Sequence, residues 1–313
     1  MRIGIDLGAT KIIAGIVDNN GRVIKAYKIP TERSDGYERV IDRVITLIHT
    51  IVRKGKLHWN DIERIGIAAA GQIDKDSKTV IFSPNLRWHN VPIKQDIERA
   101  FKIEVVLEND VNAATYGEWK FGLQERFSNV IGVFVGTGIG GGLMINGKLY
   151  RGYQHVGGEI GHMIVNPHGY PCHCGTSGCF EAYCGGSYII ERVQKFIQKG
   201  YRGKLWDIIQ GKVDELHVGH IEEAYCLGDS LCKNIWEEVI EYMGTGLASL
   251  VNLLNPEVIV MGGGVIQGTK FLITDACNVM ERRAMKASIK DVRIEKAQFG
   301  DTAAIMGVAF ISD

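Results

Sequence analysis

Ile131-Gly132-Val133-Phe134-Val135-Gly136 repeats Ile3-Gly4-Ile5-Asp6-Leu7-Gly8 at an offset of 128 residues, with three identities. Asn146-Gly147 then answers Asn20-Gly21 near the following turn. Each copy reads as strand, glycine turn, strand, Asn-Gly turn, strand, because β-rich runs bounded by glycine and asparagine are hairpin signals. A pattern that restarts this far along a chain indicates two related α/β lobes with a cleft between them.

Outward from the first copy, residues 2–29 read as a β-meander with Asp18-Asn19-Asn20-Gly21 as its second turn. Val40, Val44, Leu47, Ile48 and Ile51 recur at helical spacing up to Gly55, and Ile65 to Ala69 is a short buried-type strand. Ile93 to Phe101 reads as a helix and Ile103 to Leu107 as a further strand. Strands separated by helices imply an α/β sheet. After the second copy, residues 146–186 are loop-rich, helices return from Ile221, and Trp236 to Leu254 is the longest candidate. Glu257 to Met261 is a strand running into Gly262-Gly263-Gly264, and Val292 to Ile294 a last short strand. Asp301-Thr302 is expected to cap a final helix. These readings divide the chain into a smaller lobe, 1–110, and a larger one, 111–300, with the helix of about 301–313 packing back on the first.

At 313 residues and 34.6 kDa, the chain exceeds what one core usually holds, so two lobes fit its size. Lys plus Arg equals Asp plus Glu at 36 each, so no net field favours nucleic acid as a partner. No run of about 18 apolar residues exists, and Asp6 interrupts the start where an export signal needs its apolar stretch. A cytoplasmic protein without a membrane partner is expected. Seven cysteines there suggest metal binding or free thiols in preference to disulfides. Glycine stands at 39 against roughly 22 for average usage, and proline at only 6. Sixteen of those glycines lie between Gly132 and Gly186, so the surplus is expected to map a cleft where backbone approaches ligand or takes unusual dihedrals.

Four stretches carry chemistry. Asp6-Leu7-Gly8-Ala9-Thr10-Lys11 sets a carboxylate at a strand end before a glycine turn, a pattern able to cradle phosphate while Asp6 positions Mg²⁺ directly or through water. A plain hairpin bend is the alternative. Gly136-Thr137-Gly138-Ile139-Gly140-Gly141-Gly142 is its partner, and its entropic cost argues for a second phosphate loop. A dinucleotide fingerprint is excluded there because Leu143-Met144-Ile145 continues as strand, not helix. Glu108-Asn109-Asp110 follows a strand and opens a helix, where Asp110 is either a general base for an attacking hydroxyl or simply the N-cap. Cys172-His173-Cys174-Gly175-Thr176-Ser177-Gly178-Cys179 brings three thiols within eight residues, a set suited to zinc with one histidine among His155, His162, His168 and His173. His173, between two ligands, is sterically awkward. Glu159, His162 and Glu181 around this loop, and Asn85 from the first lobe, form a set of hydrogen-bond partners for a polyhydroxy ligand.

Together these residues resemble the ROK family of sugar kinases and sugar-responsive repressors, from Asp6-Leu7-Gly8-Ala9-Thr10-Lys11 through Gly158-Glu159-Ile160-Gly161-His162 and Cys172 to Glu181, up to the glycine triplet at 262. The resemblance implies a duplicated actin-like ATPase (ribonuclease H-like) fold, two lobes around a central cleft. It implies an ATP-dependent hexose kinase of carbohydrate metabolism and glycolysis, a glucokinase acting on the 6-hydroxyl of glucose with Asp110 as base. By the same resemblance Asn85, Asn109, Asp110, Glu159, His162 and Glu181 bind the sugar, and His162, Cys172, Cys174 and Cys179 hold structural Zn²⁺. Asp6, Gly8, Thr10, Lys11, Gly136, Thr137 and Gly138 hold the ATP phosphates and Mg²⁺, and Gly262, Gly263 and Gly264 border the adenosine. A homodimer or homotetramer is expected. Alternatives are an N-acetylhexosamine kinase such as an N-acetylmannosamine kinase, a kinase of fructose, mannose or allose, or a non-catalytic sugar-binding regulator. Against the repressor branch, the first strand at Arg2 leaves no room for a preceding DNA-binding motif. Ala9 stands where the family commonly has a second glycine, and Ala70 where it often has proline.

Overall fold

The computed structural model of the chain describes residues 1–312. The first repeat forms β1 (Arg2–Leu7), β2 (Lys11–Val17) and β3 (Val23–Pro30), and the second forms β9 (Val130–Val135), β10 (Ile139–Ile145) and β11 (Lys148–Leu149). The limits of β9 and β10 match those of β1 and β2 at the same offset of 128 that the sequence shows. The copies part at the next turn. Five residues, Asp18 to Arg22, join β2 to β3, whereas Asn146 and Gly147, both at positive φ, close a two-residue hairpin.

Between the copies lie β4 (Arg64–Ala69) and β8 (Val105–Asn109), and after them β12 (Val258–Gly262) and β13 (Arg293–Lys296). The two five-stranded sheets run β3-β2-β1-β4-β8 and β11-β10-β9-β12-β13, one order used twice. In the first, β1 pairs β4 and β4 pairs β8 in parallel, so the C-terminal ends of all three strands share one edge. Helices α1 (Tyr37–Gly55) and α2 (Ile93–Phe101) lie in the connections that lead to β4 and β8, and α3 (Asp110–Gly117) follows β8. Val40, Val44, Leu47, Ile48 and Ile51 of α1 are buried with Ile3, Ile5, Ile65 and Ile67 in one apolar core.

The contacts group the chain into two compact units: Met1–Gly132 with Gly142–Gly158 and the segment from Ala297 on, and Val133–Gly141 with Glu159–Lys296. Neither unit is continuous, and neither ends at residue 110. In the first, the last helix, Ala303–Phe310, lies on the sheet above Gly4, Gly15 and Gly66, which stand in register on β1, β2 and β4. A Cβ at Gly4 would sit 2.1 Å from the Ile305 carbonyl oxygen, and one at Gly66 2.4 Å from that of Val308, so only glycine lets this helix approach so closely. The buried carboxylate of Glu118 ties down the entry to this helix by accepting the N–H groups of Gln298 and Phe299.

Several sequence expectations need correction. Asp301 and Thr302 do not cap the last helix: Asp301 pairs with Lys11, and the Thr302 hydroxyl donates to the Phe299 carbonyl. Gly140 to Gly142 belong to β10 and not to a loop. A small sheet of β5 (Gln72–Ile73), β6 (Val80–Ser83) and β7 (Trp88–Val91) was not foreseen, because its strands are too short to show alternation. Helices α4 (Phe180–Cys184) and α5 (Gly186–Gln198) begin well before Ile221, their start disguised by Gly185-Gly186-Ser187. Among the described residues no helix is long and apolar enough to cross a membrane.

Candidate active site and metal centre

The parallel ends of β1 and β8 place two carboxylates at one edge of the first sheet, the edge where open α/β sheets take their ligands. Asn109 caps α3, its Oδ1 accepting the N–H groups of Val111 and Asn112. Asp110 is therefore the first helical residue and not the cap. Its Oδ1 accepts the Val111 N–H at 3.0 Å and the Asn109 Nδ2 at 3.1 Å, and the same Nδ2 donates to the Gly71 carbonyl at 3.0 Å. These bonds fix the carboxylate by one oxygen; Oδ2 has no bonded partner among the described residues. Burial pushes the Asp110 carboxyl above its ordinary value, and the hydrogen bonds from Val111 and Asn109 only partly oppose it.

Asp6, near the end of β1, is half-buried, and its carboxyl is pushed up to about 7, first by burial and then by the Asp110 charge, with Lys11 opposing. Lys11 donates to Asp301 at 2.5 Å, a partner 290 residues away that sequence spacing had cast as a helix cap. The β1–β2 turn is closed by the Gly8 N–H on the Lys11 carbonyl, and Thr31 fastens it from β3's end through Thr10 and Gly8. The N–H groups of Ala9 and Thr10 at its tip make no bond among the described residues. In the second hairpin the Gly136 N–H meets the Gly138 carbonyl, and the N–H groups of Thr137 and Gly138 make no bond among the described residues. None of Gly8, Gly136 and Gly138 has a left-handed φ, so the expectation of unusual dihedrals at these tips is overturned.

What the second hairpin requires is room. Glu181, in the first turn of α4, accepts the Ile139 N–H on Oε2 at 2.8 Å, and a Cβ at Gly138 would lie 1.9 Å from that oxygen. The start of α5 adds Gly186 N–H to the Gly136 carbonyl and both the N–H and hydroxyl of Ser187 to that of Thr137. Gly263, at φ +90, follows β12 against the Val135 carbonyl, while Gly264 has open space on its Cβ side.

His162, Cys172, Cys174 and Cys179 converge, their donor atoms all within 4.8 Å of one another. Cys174 Sγ lies 3.6 Å from Cys179 Sγ, and Cys172 Sγ 3.8 Å from His162 Nδ1. A tetrahedron with metal–thiolate arms near 2.3 Å has edges of about 3.8 Å, so this three-cysteine, one-histidine set fits zinc. The geometry also selects His162 from the four histidines the sequence left open. The Thr176 N–H holds the Cys174 thiol below its usual range, which favours the metal-binding thiolate. Tyr188 places its hydroxyl 3.5 Å from Cys172 Sγ, a contact no local spacing announced. Of the remaining candidates, Asn85 is exposed on the β6–β7 turn with its carbonyl bonded to Arg33, and Glu159 precedes the single turn that ends in His162.

The profile of the ROK family matches residues 2–313. The chain belongs to the ROK family. A glucokinase of Streptomyces coelicolor is 33% identical over 312 residues, covering 99% of this chain and 96% of its own. A solved ROK family glucokinase from Streptomyces griseus, in complex with glucose and AMPPNP, superposes with a TM-score of 0.84 at 32% identity, over 98% of this chain and 97% of that one. A xylose repressor of Caldicellulosiruptor bescii is 31% identical over 97% of this chain and 76% of the repressor. The ROK match and the repeated sheet order make the fold the actin-like ATPase (ribonuclease H-like) one.

Proposed function

We propose that this ROK protein is an ATP-dependent hexose kinase, a glucokinase that phosphorylates the 6-hydroxyl of glucose. The observation that carries the reading is the Asp110 carboxylate, held by Oδ1 at the start of α3 with its proton affinity raised by burial, beside Asp6 and Lys11. A sugar-binding module has no use for a fixed, proton-hungry carboxylate next to a turn with unbonded N–H groups.

In the proposed reaction Asp110 takes the proton of the sugar hydroxyl as that oxygen attacks the γ-phosphorus of ATP. The new O–P bond forms as the bond to the β-phosphate oxygen breaks, and ADP leaves. A positioned base of this kind contributes about 10²–10⁴-fold. The N–H groups of Ala9, Thr10, Thr137 and Gly138 serve phosphate oxygens, and Asp6 would hold Mg²⁺, which would supply positive charge to the transferring phosphoryl group. Asn85, Asn109, Glu159, His162 and Glu181 orient the sugar, Gly262 to Gly264 border the adenosine, and the zinc set keeps the His162 and Glu181 region in shape. A cytoplasmic location and a homodimer or homotetramer accompany this reading.

The glucokinase relatives support glucose as acceptor, and the xylose repressor relative supplies the contrasting class, a regulator without turnover. A coupled ADP-release assay across glucose, mannose, fructose, allose and the N-acetylhexosamines separates them. Glucose is expected to give the highest kcat/KM. A higher value with an N-acetylhexosamine moves the assignment to that kinase class, and no sugar-dependent ADP from any of them refutes the kinase.

A further inference from the structure

Glu108 precedes the site residues by one position, is only 4% exposed, and divides its carboxylate between two tasks. Oε1 accepts the Asn109 N–H and the Asn112 Nδ2, each at 3.0 Å, and so shapes the turn on which Asp110 stands. Oε2 accepts the Nε of Arg151 at 2.6 Å, with that side chain 18% exposed. Arg151 in turn anchors its own loop: its carbonyl accepts the Gly157 N–H at 2.8 Å, closing residues 151–157 on themselves. The chain then runs through Gly158 directly into Glu159.

Nothing in the fold demands an ion pair here, because an apolar pair of similar volume commonly holds a core as well or better. What a directed N–H to carboxylate bond adds is orientation. We infer that Glu108 and Arg151 are positioning residues for the phosphoryl transfer: one buried carboxylate locks the turn of Asp110 and the loop leading to Glu159 to each other. The inference rests on the reading of Asp110 as base and Glu159 as a sugar ligand. Neither partner touches the reacting atoms.

Removing Arg151 alone leaves a buried carboxylate unpaired and risks a misfolded protein, so the informative variant is the double one, Glu108→Gln with Arg151→Met. It buries no charge, and the introduced amide oxygen still accepts the Asn109 N–H while the link to the loop is cut. Its thermal unfolding is expected close to that of the wild type, whereas its KM for the sugar rises about tenfold or more and its KM for ATP stays within about twofold. Arg151→Lys, which keeps a cation beside the carboxylate, is expected to recover most of the lost sugar affinity. A double variant with wild-type sugar KM, an equal rise in both KM values, or a failure to fold each reduces the pair to a structural contact and overturns the inference. A wild-type protein without sugar-dependent turnover, or an active Asp110→Asn, fails the underlying reading instead. A dead Asp110→Asn beside an unaffected double variant sinks the pair alone.

Discussion

Burial raises the proton affinity of both carboxylates at the sheet edge, and the Asp110 charge adds to it at Asp6. Asp6 is pushed up to about 7 from an ordinary 3.8, so between those values the folded protein binds a proton that the unfolded chain has released. Stability is therefore highest below the unfolded value and falls as pH climbs through this window. Replacing Asp6 with Asn removes its share. Urea midpoints at about pH 5 and about pH 8 are expected to fall less in Asp6→Asn than in the wild type, and equal falls would show that Asp6 is not strained. At this scale the sequence displayed what local spacing can carry: the thiol triplet, the two hairpin tips and Asp110. It hid the Arg151 partner of Glu108, 43 residues on, and the Asp301 partner of Lys11, 290 residues on, because no spacing rule relates residues brought together only by the fold. The capping reading of Asp110 failed for a local reason, since Asn109 satisfies the same N–H groups one residue earlier.

Elements with strong periodicity were legible. The α1 stripe, the three strands of the first meander and β12 sit where their patterns place them: α1 buries one apolar face, while β1, β2 and β12 are buried almost throughout. The helix α5, whose start is glycine, and the short strands β5 to β7 were not legible. The loop from Met163 to Cys179 is a third kind. The isolated bridges Ile164–Cys179 and Pro171–Ser177, turn bonds, the Asn166 amide on the Tyr183 and Tyr242 hydroxyls and the convergent thiols hold it in place of regular secondary structure. A metal is thus expected to carry much of its order. Metal analysis should find about one zinc per chain, and Cys174→Ser should lose it and unfold at a lower temperature. Full thermal stability in a metal-free protein would contradict the zinc assignment.

Across the whole molecule, the offset of 128 proved to be a property of the sheets as well as of the letters: β1 and β2 recur as β9 and β10, and one strand order is used twice. The glycine surplus has two explanations, of which the sequence suggested one. Gly138 does clear space at the candidate site, but Gly4 and Gly66 clear it for the last helix. Composition cannot tell those uses apart, because both need only a missing Cβ. The central claim is that this duplicated scaffold holds Asp110 as the base of a sugar kinase. The direct measurement pairs calorimetric glucose binding with the ADP-release assay in the wild type and Asp110→Asn. The account predicts glucose affinity within a few-fold of wild type and turnover reduced by about 10²-fold or more; Asp110→Asn turning over near the wild-type rate would contradict it.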